Sequence, residues 1–194
     1  MKLNDQSSLL AFLRSRKSAS AKAMGEPGPT PAQMSEILNI AARVPDHGKL
    51  APWRFILIEG DARARIGEGL AQIWAKNNST HGAEMLAFVR GMLLRAPTIL
   101  VVVSTAAVHG KIPVWEQQLS SGAVCYSAVL AAQALGFDAQ WQSDWVAYDP
   151  AALALMGVNA HEKVAGLIYI GTSTVSLEDR PRPDVSQLLT RINA

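Results

Sequence analysis

The chain has 194 residues, enough for one sizeable core, and 49% hydrophobic with 18% charged residues is the make-up of a globular protein. Its 18 basic and 16 acidic side chains leave a formal charge of only +2, and the densest basic cluster, Arg14-Ser15-Arg16-Lys17, suits one phosphate group and not a duplex backbone, so nucleic acid is excluded as a partner. A single cysteine, Cys125, rules out an intrachain disulfide, and with no apolar leader in the first residues a cytoplasmic protein is expected.

In chain order, the first periodic segment is 8–16, with Leu9, Leu10, Phe12 and Leu13 on a narrow apolar face and a basic end at Arg16, Lys17 and Ser18. A loop rich in glycine and proline (25–29) precedes a clear helix start, with Thr30 at the N-cap and Pro31 at the first helical position. Met34, Ile37, Leu38, Ala41 and Ala42 then follow at the spacing of a core-facing stripe, and Pro45 marks the end. Residues 46–52 read as a loop and 53–58 as a strand. Asp61 is placed to cap a third helix reaching about Lys76, and 82–95 reads as a fourth. Ala96-Pro97 breaks the chain before the β-branched run 98–103, which is apolar on both sides and fits a buried central strand.

Pro113 opens the longest helix, about 114–135, stopped by Gly136. Trp115, Leu119, Gly122, Tyr126, Val129 and Gln133 form one stripe, while alanine, serine and glycine dominate much of the rest. Such a helix needs cover on most sides, and a second subunit is one candidate cover. The apolar stretch 119–137 holds Ser120, Ser121, Gly122, Ser127 and Gln133 without close basic anchors, so it reads as a core or interface helix and not a membrane span. A short strand at 138–143, a short helix at 150–156 and a buried strand at 164–171 complete the pattern. The tail from about 172 is rich in proline and charge and is expected to wrap the surface of a single domain covering 1–194. From pattern alone, a doubly wound parallel sheet and an α+β arrangement stay equally open.

Several familiar sites are missing. There is no phosphate-binding loop of the G-x-x-x-x-G-K type, Gly67-Glu68-Gly69 falls inside a predicted helix, and there is no serine nucleophile elbow. The four histidines, His47, His81, His109 and His161, have no second histidine or cysteine at metal-ligand spacing, so no metal is expected.

Three segments in order carry a resemblance. They are Arg16-Lys17-Ser18-Ala19-Ser20, then Arg43-Val44-Pro45-Asp46-His47 leading to Pro52-Trp53-Arg54-Phe55, then Pro113-Val114-Trp115-Glu116-Gln117 with Ser121-Gly122, followed by Gly136-Phe137 and Trp141. In this order and spacing the chain resembles the FMN-dependent nitroreductase family, in particular its small single-domain YdjA-like branch. The resemblance implies an α+β fold with a mixed sheet flanked by helices, and a homodimer with FMN at the interface. It also implies hydride transfer from NADH or NADPH through flavin N5 to a nitroaromatic or quinone-like acceptor by a ping-pong scheme. On that footing no side chain acts as a nucleophile, because the cofactor carries the chemistry. Two other readings fit the same fold: a flavoenzyme with another reaction, such as dehalogenation or flavin breakdown, and a flavin-binding or sensing dimer with little turnover.

The family pattern also implies roles. Arg16, Lys17 and Ser18 would meet the flavin phosphate and pyrimidine side, where residues alone would suggest an ordinary solvated basic helix end. Lys17 stands where the branch has arginine, and so lacks a bidentate contact. Arg43 and His47 would reach FMN from the partner subunit; alone, His47 reads as a surface turn residue. The main chain of Trp141, Gln142 and Ser143 would approach the ring near N5 and O4, with Gln142 in place of an arginine, a difference that bears on acceptor choice. Arg180 and Arg182 resemble a basic pair placed on the phosphate elsewhere in the family. The stretch 131–136 matches one associated with NAD(P). Trp74 and Phe88 are candidates for ring stacking in a pocket wall, with core packing as the bland alternative.

Overall fold

The computed structural model describes residues 2–78, 80 and 82–193; His81 lies outside them. The chain divides into two compact units, one built from the residues up to Lys17 together with those from Ser176 onward, the other from Ser18–Val175.

In the first unit the helix α1 spans Leu9–Ser15. Seven residues are too few to hold a helix by propensity, so side-chain bonds secure it. The Ser8 hydroxyl caps its start by accepting from the Ala11 N–H (3.1 Å). Ser15 Oγ donates to the Ala11 carbonyl (2.7 Å) and accepts from the Asp5 N–H (2.9 Å), while Asn4 Oδ1 accepts from the Lys17 N–H (2.8 Å). The expected apolar face is only partly used: Phe12 is buried, whereas Leu9, Leu10 and Leu13 are exposed. The tail carries one short turn, Val185–Leu188, capped by Asp184.

The second unit is a five-stranded sheet with helices against it. Its strands are β1 (Met24–Gly25), β2 (Trp53–Glu59), β3 (Thr98–Ser104), β4 (Asp138–Gln142) and β5 (Lys163–Ser173), in the order β1-β5-β3-β2 with β4 also on β5. The helices are α2 (Pro31–Ala41), α3 (Asp61–Asn77), α4 (Ala83–Arg90), α5 (Val114–Ala134) and α6 (Pro150–Leu155). This is the α+β arrangement, not the doubly wound one. Among the described residues every strand pairing is antiparallel, where the resemblance implied a mixed sheet. The reason is visible at the longest connection: α3 and α4 return the chain beside the point it left, so that Glu59 faces Thr98.

β3 is buried along its whole length, as its unbroken apolar run requires. Leu100 and Val102 with Ile168 and Ile170 of β5 face Met34, Ile37 and Ala41 of α2 and Val124, Cys125, Ala128 and Ala132 of α5. Residues of the other parity, among them Ile99, Val101, Leu167 and Tyr169, are buried as well, so both faces are covered. Each such aliphatic side chain contributes about 1.5–3 kcal/mol. Burial pushes the Tyr169 hydroxyl and the Cys125 thiol each up to about 12, which leaves both uncharged near neutral pH.

Some boundaries differ from the sequence reading. Asp61 is the first helical residue and Gly60, at φ 54°, is the N-cap, so the aspartate acts on the helix dipole and not as a cap. The expected helix 82–95 is α4 plus a separate tight turn, Met92–Leu94, broken at Gly91; that turn buries Met92 and Leu93. β1 lies in a segment read as loop, because two residues carry no periodicity and only pairing with Thr172 and Ser173 makes them a strand. At α2 the reading is matched closely: Thr30 and Gln33 form a reciprocal capping box with Pro31 at the first position.

Candidate functional site

Two of the three motif segments meet at the start of α5. His47 Nδ1 lies 2.8 Å from Glu116 Oε2, Ser120 Oγ donates to the Pro45 carbonyl (3.0 Å), and Ser121 Oγ donates to the Pro52 carbonyl (3.0 Å). The loop between them is sharply turned. Gly48, Lys49 and Ala51 all have positive φ, and Asp46 Oδ2 accepts from the Ala51 N–H (2.7 Å). Glycine suits position 48 through its φ of 75°, and a Cβ there would also push Ile112 Cδ1 aside. Arg43 and His47 are both exposed on this edge. Next to them the α5 stripe is bare: Trp115, Leu119 and Tyr126 are 67, 53 and 45% exposed, while Val129 and Gln133 further along it are buried.

The end of β4 forms a second feature. The Trp141 indole lies over Gly166 of β5, where any Cβ would overlap the ring, and its Nε1 donates to the Ala165 carbonyl (3.2 Å). Gly122 of α5 borders the far edge of the same ring. The side chain is thereby drawn onto the sheet and helix. Beyond it Ser143 is exposed, and Asp144, at φ 141°, turns the chain out of the sheet with its carboxylate accepting from the Trp145 N–H (2.7 Å). Gln142 donates through Nε2 to Gln140 Oε1 (2.8 Å). A cavity of about 210 Å³ adjoins this corner, lined by Ser104, Gln118, Gly122, Lys163, Val164 and Ala165.

In the first unit, the tail comes back to the basic segment. Arg182 Nη2 donates to Asp179 Oδ1 (2.6 Å) and lies 3.4 Å from the Arg16 carbonyl. The Arg180 N–H, then Arg182, and the charge of Lys17 hold the Asp179 carboxyl below the ordinary range. Arg16, Lys17 and Arg182 therefore gather in one neighbourhood, with Asp179 balancing part of their charge.

Other expectations turn out differently. Trp74 packs on Trp145, with ring centroids 5.2 Å apart. Phe88 is 43% exposed, with Arg95 Cζ at 4.5 Å and Lys22 Nζ at 5.3 Å from its ring centroid. Of the stretch matched to NAD(P), Ala131, Ala132 and Gln133 are buried in α5, while Ala134, Leu135 and Gly136 at its end are exposed. Three residues that shape these features escaped the sequence reading: Gln140, Gly166 and Asp179. The available signals were faint. Gln140 shares a strand face with Gln142, and Asp179 stands three residues before Arg182.

The fold is an α+β scaffold, an antiparallel sheet flanked by helices, on which the motif segments are placed as described. The Nitroreductase family profile matches residues 13–172. YdjA of Escherichia coli K12, whose name assigns it provisionally to the NAD(P)H nitroreductases, is 36% identical over 163 residues, covering 84% of this chain and 87% of that protein. A Haemophilus influenzae protein with the same kind of name is 34% identical over 170 residues, covering 87% and 90%. Among solved structures, a nitroreductase-like family protein from Bacillus cereus superposes with a TM-score of 0.80 at 19% identity over all of both chains. An FMN-bound nitroreductase from Bacteroides fragilis gives 0.68 at 19% identity, covering 95% and 98%. The chain belongs to the nitroreductase family, a family of oxidoreductases. Among the described residues no helix is long and apolar enough to cross a membrane.

Proposed function

We propose that this protein is an FMN-dependent oxidoreductase that works as a homodimer. The observation that carries the reading is the gathering of Arg16, Lys17 and Arg182 in the first unit, a donor set of the charge and size for one phosphate monoester. The donors fit the cofactor. Arg16, Lys17 and Ser18 would hold the phosphate and the pyrimidine side, with Arg180 and Arg182 adding charge. Trp141, Gln142 and Ser143 would present main-chain groups to the ring, a role supported by the indole being engaged elsewhere, on Gly166 and Ala165.

FMN, when bound, supplies the redox chemistry, accepting hydride from NADH or NADPH at N5 and passing it to a nitroaromatic or quinone-like acceptor in two alternating half-reactions. The protein's part is to bind, orient and exclude water. Arg43 and His47 would act across the dimer, with the His47–Glu116 contact fixing the imidazole. The bare stripe of Trp115, Leu119 and Tyr126 is the face proposed for the second copy, because three large apolar side chains on one helix face are costly in water.

The test is direct. Purified protein is expected to show a flavin absorption spectrum, to sediment as a dimer, and to oxidise NADH or NADPH once a nitroaromatic or quinone is added. Arg16→Ala is expected to lower FMN affinity by at least tenfold. A colourless monomer that ignores added FMN would overturn the reading; a yellow dimer inert to both nicotinamides would favour a binding module.

A further inference from the structure

We infer that Gln140 is a positioning residue that locks the Ser18–Ala21 segment and the Trp141–Ser143 segment at a fixed spacing. This rests on the FMN reading above, since those are the two segments of the second unit assigned there to the cofactor. The observation is a shared acceptor. Gln140 Oε1 accepts from the Ala21 N–H at 2.6 Å and from Gln142 Nε2 at 2.8 Å.

The amide orientation follows from chemistry. A backbone N–H can only donate, so the Gln140 oxygen must face Ala21, and Gln142 must then offer its NH2 group to that oxygen. Gln140 and Gln142 stand two apart on β4 and so share a sheet face, while Trp141 points to the other, where it covers Gly166. One strand thus uses both faces. On one side Trp141 pins β4 to β5; on the other Gln140 pins it to a segment 119 residues earlier.

The early segment is anchored at its other end as well. Ala19 and Ala21 are buried, the turn Ala21–Ala23 follows, and the Ala23 carbonyl accepts from both the N–H and the hydroxyl of Thr174. Beside this fixed end, Ala21 has Gln140 as the acceptor for its N–H. With that acceptor removed, a buried donor is left unpaired and the Ser18–Ala21 segment loses its anchor to β4. Gln142 loses its tether in the same event. The two ends of the cofactor site then lose their common reference, although no residue that touches the cofactor has been changed.

The experiment uses the full chain, stripped of flavin and titrated with FMN by the quenching of flavin fluorescence, alongside Gln140→Met and Gln140→Glu. Methionine keeps the length of the side chain and lacks the acceptor; glutamate keeps both acceptor contacts. Gln140→Met is expected to bind FMN about tenfold more weakly, equivalent to ~1.4 kcal/mol, and to alter the visible circular dichroism of the bound flavin. Gln140→Glu is expected to stay within about threefold of the unmodified chain. Equal affinity for all three, or equal loss in both variants, overturns the inference. If Gln140→Met does not fold, Gln142→Ala carries the test, with an expected loss of about threefold; no loss there overturns it. Failure of the unmodified chain to bind FMN would instead sink the functional reading, so the two failures are distinct.

Discussion

Two arginine–carboxylate pairs in this protein have the same length and opposite meaning. Arg54 and Glu162 meet at 2.6 Å, in a bidentate contact completed by Arg54 Nε on Glu162 Oε1 at 2.7 Å. Glu162 is 4% exposed at its side chain, accepts further from the Asn159 N–H, and the pair ties the start of β2 to the loop before β5 through a third bond to the Gly157 carbonyl. Arg182 and Asp179 also meet at 2.6 Å, but both side chains are 41% exposed. Distance alone does not separate them. Burial does: removing Arg54 strands the Glu162 carboxylate in the interior, whereas water and salt readily replace a partner of the second. The first is suited to holding the fold, and the second to exchanging one anion for another.

That contrast is breakable, most strongly at Glu162. The Arg54 guanidinium above all, with the Asn159 N–H, holds its carboxyl down to about 2 against an ordinary 4.5. A depressed carboxylate stabilises the fold fully above its unfolded value, and that contribution is lost as pH falls from about 4.5 through about 2. Arg54→Met, which leaves the buried Glu162 carboxylate unpaired, is expected to cost about 3 kcal/mol at pH 7, lowering Tm by roughly 6–12 °C. Its melting temperature should also fall less than that of the unmodified chain when pH is lowered from 6 to 3. An unchanged Tm at pH 7 would show that burial is not what distinguishes the pairs.

An intermediate case lies at Trp141, a partly exposed ring on a buried glycine. Gly166→Ala is expected to cost ~1–2 kcal/mol, the ring swinging off β5 instead of the strand distorting. Tryptophan fluorescence should shift to the red and Tm should fall by about 2–8 °C. Smaller still is the effect expected at Glu116, which meets His47 in the open: Glu116→Gln should cost ~0.5 kcal/mol or less if the pair stays exposed. A Tm loss beyond roughly 4 °C would mean that a second copy covers the contact, and that the pair belongs with the buried class.

The smallest effect on stability is expected at Asp179. Asp179→Asn should leave Tm unchanged by differential scanning calorimetry, yet raise affinity for FMN or inorganic phosphate a few-fold at low salt, because a competing anion is gone. An affinity that falls would instead make the aspartate an orienting partner of Arg182.

Much of the fold was legible before any coordinates. Thr30 and Pro31 announce α2 through capping chemistry, and the β-branched run of β3 announces a buried strand, since both signals are local. The motif residues were legible too, as a pattern in order. What they touch was not. His47 reads as a turn residue until Glu116, 69 positions away, is brought beside it. Asp179 reads as a charge in a solvated tail until Arg182 and Lys17 are gathered around it. Gln140 gave no signal beyond its spacing from Gln142, because its decisive bond is to Ala21, 119 residues earlier.

The sequence by itself determined where α2 starts, that the run of β3 is a buried strand, and which family pattern the motif residues spell, because each of these signals is carried by short local segments. Only the tertiary structure decided that the described strands all pair antiparallel, that Glu162 is a buried anchor while Asp179 is an exposed counter-charge, and that Trp141 turns onto Gly166. Those outcomes depend on which distant side chain displaces water from a group. Burial of that kind is a property of the assembled chain and of no single segment.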